Sequence, residues 1–510
     1  MWRVAMNPGI VYLVGAGPGD PGLLTLRGRE CLRRADVVLY DYLANPELLV
    51  HTRAGVEKIF AGKHGQGPHV LSQAAINDLL IERAQRGMVV VRLKGGDPMV
   101  FGRGAEEAEV LQDAGIRFEI VSGVTSALAV PAFAGIPVTH RDWVSGVTIL
   151  TGHDAADKKE SQIRWSAVAQ AGHTIVILMG LTQMRKNLAA LEAAGLAPDT
   201  PAAAIQWGGS PTQRTFIGTL ADLADQVAAL DLRPPVTVVI GEVVRLRASV
   251  EWFESRPLFG RRVVVTRPRH QAPRLAGLLA EQGAEVLECP TIEIAPLDAT
   301  PLRAEIRNLS SYDVLIFTST NGVDQFFRVL EEEGLDARAL AGLRLAAIGP
   351  QTARHLADRQ LRVDILPKEF RAEGILEALG EDSLEGVRVL LPRAEGARMI
   401  LPDTLRDRGA EVTEILTYRS VPPVDGAAVW DRICADGLPD CVTFTSSSTF
   451  TSFLGILDET GAGRSVLDQI KLACIGPITA RTIQDAGWTV DIEASPYTVP
   501  DLAAAVAAKL

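Results

Sequence analysis

Two glycine-rich strings hold the residues of the first half whose types and spacing suit chemistry. Residues 14–26 read VGAGPGDPGLLTL, and residues 93–107 read LKGGDPMVFGRGAEE. The first begins like a dinucleotide fingerprint with Gly15 and Gly17, but Asp20 stands at the third glycine position. Pro18 and Pro21 also block a helix from starting under a pyrophosphate, so a nicotinamide site is rejected. The glycines still let main chain approach a ligand closely; the competing reading is a tight strand exit. In the second string Gly95 and Gly96 lead out of a β-branched run to Asp97. A carboxylate at a strand's carboxyl end can accept hydrogen bonds from a ribose or an amine. Arg103, set between Gly102 and Gly104, can meet a carboxylate through both guanidinium arms. An ordinary loop with a capping Asp is the alternative.

The second half offers arginines and hydroxyls. Residues 256–274 hold six Arg and one His with no acid, which asks for an anion unless the patch is a solvated strand edge. Phe-Thr-Ser occurs at 317–319 and 444–446, and Ile-Gly-Pro-x-Thr-Ala at 348–353 and 475–480. Each string ends a strand and opens a helix. Ser319, Ser446, Thr352 and Thr479 therefore read either as N-caps or as carboxylate binders at helix N-termini. The strings belong to an internal repeat: Arg262–Arg267 is echoed by Arg388–Arg393 and Gly283–Val286 by Gly409–Val412, both at an offset of 126 residues. That period exceeds a solenoid unit and fits a small doubly wound domain. Two similar lobes facing each other place the ligand, and Arg267 with it, in the cleft between them.

Short β-branched runs position these strings. Segments 10–14, 36–40, 88–93, 147–151, 174–179 and 236–240 read as strands buried on both faces, with amphipathic stretches such as 104–114 and 183–194 between them. The alternation predicts α/β architecture throughout, with a break near 251–262. A chain of 510 residues is too long for one core. Its net charge of −11 gives no global field for nucleic acid or an anionic membrane, so local Arg, Lys and His must hold any anionic ligand. The five cysteines form no C-x-x-C motif, which points to a reducing compartment and against a structural zinc site. Pro8 and Gly9 interrupt any signal-peptide core, and Pro131 and Pro137 break up the charge-poor stretch 120–139. The expectation is a cytoplasmic protein.

Residues 8–253 closely resemble uroporphyrinogen-III C-methyltransferase, a member of the tetrapyrrole methylase group. The motifs are VYLVGAGPGDPGLLTL, YDYLA (40–44), AGKHG (61–65), GGDP, SGVTSA (122–127), GIPVTHRD (135–142), TGH (151–153) and MGL (179–181), in order. The resemblance implies two α/β lobes that hold S-adenosyl-L-methionine between them, in a homodimer. It implies cofactor contacts at Pro18, Gly95, Gly96, Asp97, Val100, Thr125, Ser126, Met179 and Gly208. It further implies a proton acceptor at Asp41 and a donor at Lys63. The string departs from the family's pattern at Ser122, Ser126 and Tyr42. The substrate carries eight carboxylates, so Lys63, His64, Arg103, His140 and Arg141 would supply the positive lining; for Lys63 and His140 the alternative is a solvated surface charge. No metal is required.

Residues 258–510 resemble uroporphyrinogen-III synthase, through VVVTRP, the FTS and IGP repeats and ILTYRS at 415–420. That resemblance implies one lobe inserted into the other, with crossings near 286–296 and 412–422, and no cofactor. It also implies a proton donor at Tyr418, which otherwise reads as a core tyrosine. With both halves, the expected activity closes hydroxymethylbilane to uroporphyrinogen III and methylates it twice to precorrin-2. Two rivals stand beside it: a methyltransferase joined to a non-catalytic tetrapyrrole-binding module, and a methylase acting at a different ring carbon.

Overall fold

The computed structural model describes residues 9–62, 71–152, 163–230, 232–380 and 383–510. The chain forms two compact units. One takes the chain up to Arg261 with Leu279–Glu285 and Leu510, the other Arg262–Leu278 and Val286–Lys509. Among the described residues no helix is long and apolar enough to cross a membrane.

The first unit opens with five strands, β1 (Ile10–Gly15), β2 (Val37–Tyr40), β3 (Glu57–Phe60), β4 (Val89–Lys94) and β5 (Arg117–Val121), in the order β3-β2-β4-β1-β5. All its pairings are parallel, so every carboxyl end lies on one edge. Alternate residues of β1 and β4 point to opposite faces. Val14, Val91 and Leu93 pack under one helical layer, and Leu13, Val90 and Leu39 under the other. Threonine and serine start the helices: Thr25 Oγ1 accepts from Gly28 N, Ser72 Oγ from Ala75 N and Thr125 Oγ1 from Ala127 N.

A second sheet follows, built from β6 (Val147–Thr151), β7 (Thr174–Leu178), β8 (Pro201–Gln206), β9 (Arg214–Thr219) and β10 (Val236–Ile240), ordered β6-β7-β10-β8-β9. It is mixed, with β10 antiparallel to both neighbours. One expectation changes here. β6 has a partner on one side only and is half-buried along its length, not buried on both faces.

Three glycines fix how the loops of the first sheet meet. A β-carbon on Gly123 would lie 2.3 Å from Gly96 O and 2.7 Å from Gly15 Cα, and one on Gly15 would lie 2.5 Å from Gly123. Gly17 and Gly96 exchange main-chain hydrogen bonds of 3.1 and 3.0 Å. The loops leaving β1, β4 and β5 thus touch backbone to backbone. Gly15, read from the sequence as room for a ligand, serves this contact instead.

The second unit contributes β11 (Arg262–Val265), β12 (Glu285–Glu288), β13 (Glu293–Pro296), β14 (Val314–Phe317), β15 (Arg344–Ala347), β16 (Arg388–Ala394), β17 (Glu411–Val421), β18 (Cys441–Phe444), β19 (Lys471–Cys474) and β20 (Ile492–Glu493). They make two sheets, β12-β11-β18-β19-β20 and β13-β17-β16-β14-β15. One lobe is therefore inserted in the other, and the chain crosses between β12 and β13 and again after β17. The sequence repeat does not coincide with a lobe. β11, from the first copy, pairs with β18 of the second, while β16, from the second copy, pairs with β14 of the first. Each lobe takes its Arg-initiated strand from one copy and its FTS and IGP strands from the other. The copies keep the same packing: Phe317 meets Phe326 at 5.4 Å between ring centres, and Phe444 meets Phe453 at 5.6 Å.

Gly123→Ala is expected to destabilise the first unit by about 1–3 kcal/mol through overpacking against main chain that cannot yield. Differential scanning calorimetry should show the transition of the first unit fall while that of the second stays in place.

Candidate active sites

A cavity of about 970 Å³ opens at the carboxyl ends of the first sheet. Its charged lining is Asp41, Arg92, Lys94, Arg103 and Arg233, beside Gly95 and the rings of Tyr42 and Phe101. Asp41 follows β2, and its amide donates to Leu93 O at 3.1 Å, which sets it next to β4. Arg92 and Lys94 lie two residues apart on β4 and so share a face. Both are buried, with side chains 3% and 4% exposed. Arg92 Nη2 donates to Asp41 Oδ1 at 2.6 Å and its Nε to Glu107 Oε1 at 3.2 Å. Lys94 Nζ donates to the same Glu107 oxygen at 2.8 Å, and Gln73 Nε2 at 3.1 Å. Burial favours a neutral Glu107, but Arg92 and Lys94 outweigh it and hold the carboxyl below the usual range. Burial, reinforced by Arg92, pushes the Lys94 ammonium below its ordinary value.

The expected cofactor residues fall on loops that converge above this edge. Gly96 has φ of +68°, and beyond its chain neighbours the only atom of the described residues within 4 Å of a β-carbon there is Ser126 N at 3.7 Å, so its missing side chain leaves open space beside a helix N-terminus. Asp97 holds the frame: Oδ1 accepts from Met99 N at 2.7 Å and Oδ2 from Gly123 N at 3.0 Å. Val100 N donates to Asp97 O at 3.3 Å, and Thr125 caps the helix that begins at Ser126. From the second sheet, Met179 follows β7 and Gly208 follows β8. A β-carbon on Gly208 would lie 2.3 Å from Val130, and one on Gly19 would lie 2.7 Å from Gly208 O, which brings the Pro18 loop against Gly208. Tyr42 and Trp207 add a ring contact at 5.9 Å. Strain gathers here. Phe101, Arg103, Met179 and Trp207 are four of the five non-glycine residues with positive φ among the described residues. Such conformations cost roughly 1–3 kcal/mol each and persist where the surroundings impose them.

The expected substrate residues separate. Arg103 lines the cavity but is ion-paired to Glu106 at 2.6 Å. His140 and Arg141 do not line it: His140 Nδ1 accepts from Asp142 N in a tight turn, its ring beside Trp143 at 5.5 Å. Lys63 and His64 lie outside the described residues.

In the second unit, Tyr418 is buried on β17 with its hydroxyl 2.8 Å from Ser319 Oγ. Ser319 caps the helix Thr320–Glu332, accepting from Gly322 N at 3.0 Å. Ser446 caps its counterpart, Ser447–Asp458, in a reciprocal box with Thr449. Arg267 and Ser446 stand at the same sheet edge, since β11 runs parallel to β18. A 3.0 Å hydrogen bond between His270 and Asn321 joins that edge to the turn carrying Ser319. Thr479 corrects the expectation. The helix starting at Pro477 turns Thr479 into the core, 4% exposed, and leaves Ile478 outward at 81%.

The duplication makes one further feature visible. Arg393, the counterpart of Arg267, is closed by Glu414 at 2.5 Å and by Arg398 O at 2.7 Å. Arg267 donates to Gln271 Oε1 at 3.0 Å, but its buried Nε has no acceptor among the described residues. Burial and nearby Arg274 pull the Arg267 guanidinium below its ordinary pKa. The five cysteines are unpaired, and burial pushes the Cys441 thiol up to about 12, far from a nucleophile's range.

Arg92, Lys94 and Glu107 escaped the sequence reading as site residues. The signal was two cations at strand spacing inside an otherwise apolar run.

Ser319→Ala removes both a helix cap and the partner of Tyr418. A loss of about 1–2 kcal/mol is expected by urea unfolding of the second unit. The loss in a Tyr418→Phe background should be smaller, since the two groups share one bond.

Residues 10–224 match the family described as Tetrapyrrole (Corrin/Porphyrin) Methylases, and residues 273–504 that described as Uroporphyrinogen-III synthase HemD. The Porphyrin biosynthesis protein HemD of Ruminiclostridium josui is 36% identical over 476 residues, covering 93% of each chain. The Uroporphyrinogen-III C-methyltransferase of Bacillus subtilis (strain 168) is 41% identical over 355 residues, 69% of this chain and 72% of that one. The S-adenosyl-L-methionine-dependent uroporphyrinogen III methyltransferase of Methanosarcina barkeri is 50% identical over 240 residues, 47% of this chain and 94% of that one.

Proposed function

Since the chain belongs to the family that joins a tetrapyrrole methylase to a uroporphyrinogen-III synthase, we propose that it closes hydroxymethylbilane to uroporphyrinogen III and methylates that product at C2 and C7 to give precorrin-2. The observation that carries the reading is the cavity of about 970 Å³ with Arg92, Lys94, Arg103 and Arg233 around Asp41. The hollow is ligand-sized and lies beside the glycine loops. Arg233 and the exposed Arg103, paired to Glu106, are where it can meet the carboxylates of a macrocycle, while Arg92 and Lys94 are engaged by Asp41 and Glu107 behind them.

S-Adenosyl-L-methionine supplies the methyl group as an electrophilic sulfonium carbon. The open space at Gly96 and the Ser126 amide next to it fit such a group, and Pro18, Gly95, Thr125, Met179 and Gly208 would complete its surroundings. The reaction needs little acid–base work from the protein beyond positioning. Attack by the pyrrole carbon leaves a cationic ring that must lose a proton, and Asp41 takes it. Arg92 holds Asp41 Oδ1 and so fixes the carboxylate for that transfer.

In the second half, the hydroxyl of hydroxymethylbilane leaves and the last pyrrole closes inverted. Tyr418 donates a proton to the departing oxygen. With the Ser319 proton turned towards it, the phenol is free to donate its own. Arg267, whose duplicate is closed by Glu414, is the open guanidinium that takes a substrate carboxylate beside Ser446. The reading includes a homodimer through the methylase half, which sedimentation would register.

The test supplies the whole protein with hydroxymethylbilane, with and without S-adenosyl-L-methionine, and follows products by mass and isomer. Uroporphyrinogen III is expected without the methyl donor and precorrin-2 with it. Only the uninverted isomer, which forms spontaneously, would remove the synthase assignment. Tyr418→Phe should slow ring closure roughly tenfold to a thousandfold and raise the uninverted fraction. Its methylation of supplied uroporphyrinogen III should match wild type. An unchanged isomer ratio would return Tyr418 to the core.

A further inference from the structure

Glu107 is the most enclosed carboxylate near the cavity, with no side-chain exposure, and it lies one layer behind Asp41. Its Oε1 receives Arg92, Lys94 and Gln73, while its Oε2 and Arg92 Nη1 are buried without partners among the described residues. Arg92 is the bridge: one nitrogen on buried Glu107 at 3.2 Å, another on cavity-facing Asp41 at 2.6 Å. Two cations and two carboxylates balance, so the cluster is neutral as a whole though each member is costly to bury.

Stability alone does not account for such a cluster. Buried ion networks are commonly matched or bettered by apolar residues of similar volume. The same face of β4 is apolar one step earlier, at Val90, which packs with Leu13 and Leu39. Charge begins only where the strand reaches the cavity, and the network ends on Asp41, the one carboxylate among the described residues that lines it. A single guanidinium shared between two carboxylates is fixed in direction by the inner one, because its planar fork has no freedom to follow Asp41 alone.

We propose that Glu107 is a positioning residue for methyl transfer: through Arg92 it sets the orientation of the Asp41 carboxylate, with Lys94 supplying the charge that lets Glu107 remain buried. The proposal rests on the reading of Asp41 as proton acceptor and deepens it. Lys94 has Glu107 as its ion-pair partner, so losing Glu107 would leave buried Lys94 without that charge and Arg92 held by Asp41 alone, its inner anchor gone.

The test is a double-mutant cycle in the full chain, assayed for methylation of supplied uroporphyrinogen III. Glu107→Gln is expected to lower kcat roughly 10- to 100-fold, the scale of a misplaced reacting group, with KM for S-adenosyl-L-methionine within about twofold. In an Asp41→Asn background the same change should have almost no further effect, because its route to the chemistry has gone. Arg92→Lys should behave like Glu107→Gln, since one ammonium cannot span both carboxylates, and it carries the cycle if Glu107→Gln does not fold. Ring closure by the same molecules reports the second unit, and binding of S-adenosyl-L-methionine by calorimetry reports that the first unit is folded.

Losses that multiply across the cycle, or a fully active Glu107→Gln, would overturn the positioning role. Normal methylation by Asp41→Asn alone would instead remove the reading on which it rests. The two failures are thus distinguishable.

Discussion

The first unit depends on one close approach. Gly15 and Gly123 bring the ends of β1 and β5, and the Gly96 carbonyl that follows β4, into main-chain contact that no β-carbon on either glycine would permit. Asp97 then ties the β4 loop to Gly123 with one oxygen and to Met99 with the other. The loop beyond has little freedom left. Phe101 and Arg103 take left-handed conformations that an unconstrained chain would relax. The strained loop and the open space at Gly96 are set against a contact that depends on two missing side chains, those of Gly15 and Gly123.

That constraint also explains what a linear reading can and cannot find. The strands at 10–15, 89–94, 147–151, 174–178 and 236–240 are evident as β-branched runs, and the glycine strings mark the loops that leave them. The function of each glycine is another matter. Gly15 and Gly123 touch one another across more than a hundred residues of chain, and spacing carries no trace of it. Asp97 looks like a ligand group and holds two amides of its own fold. Thr479 looks like a ligand group and faces the core, because a helix starting at Pro477 sets its outward direction by the 3.6-residue turn. The Arg92–Glu107 network lay in plain letters, yet only the packing of two helices on β4 shows that these charges meet.

In the second unit, duplication separates what is structural from what differs. The capping serines and the paired phenylalanines occur in both copies at like positions, so they answer a need that both lobes have. The arginines at the ends of β11 and β16 do not behave alike. One is closed by a carboxylate from the neighbouring strand, and the other keeps a buried N–H without an acceptor among the described residues. Equal ancestry with unequal satisfaction singles out Arg267 more sharply than its own environment does.

The exchange of strands between the two copies also sets an order of events during synthesis. Within the second unit β11 and β12 leave the ribosome first, but the parallel neighbour of β11 is β18, about 180 residues further on. At bacterial-like elongation rates that interval is on the order of ten seconds. Meanwhile the inserted lobe, β13 to β17, can complete its sheet from contiguous chain. The inserted lobe is thus finished while the outer one still holds an unpaired strand edge. The apolar run Val263–Val265 must wait out that interval without finding another partner.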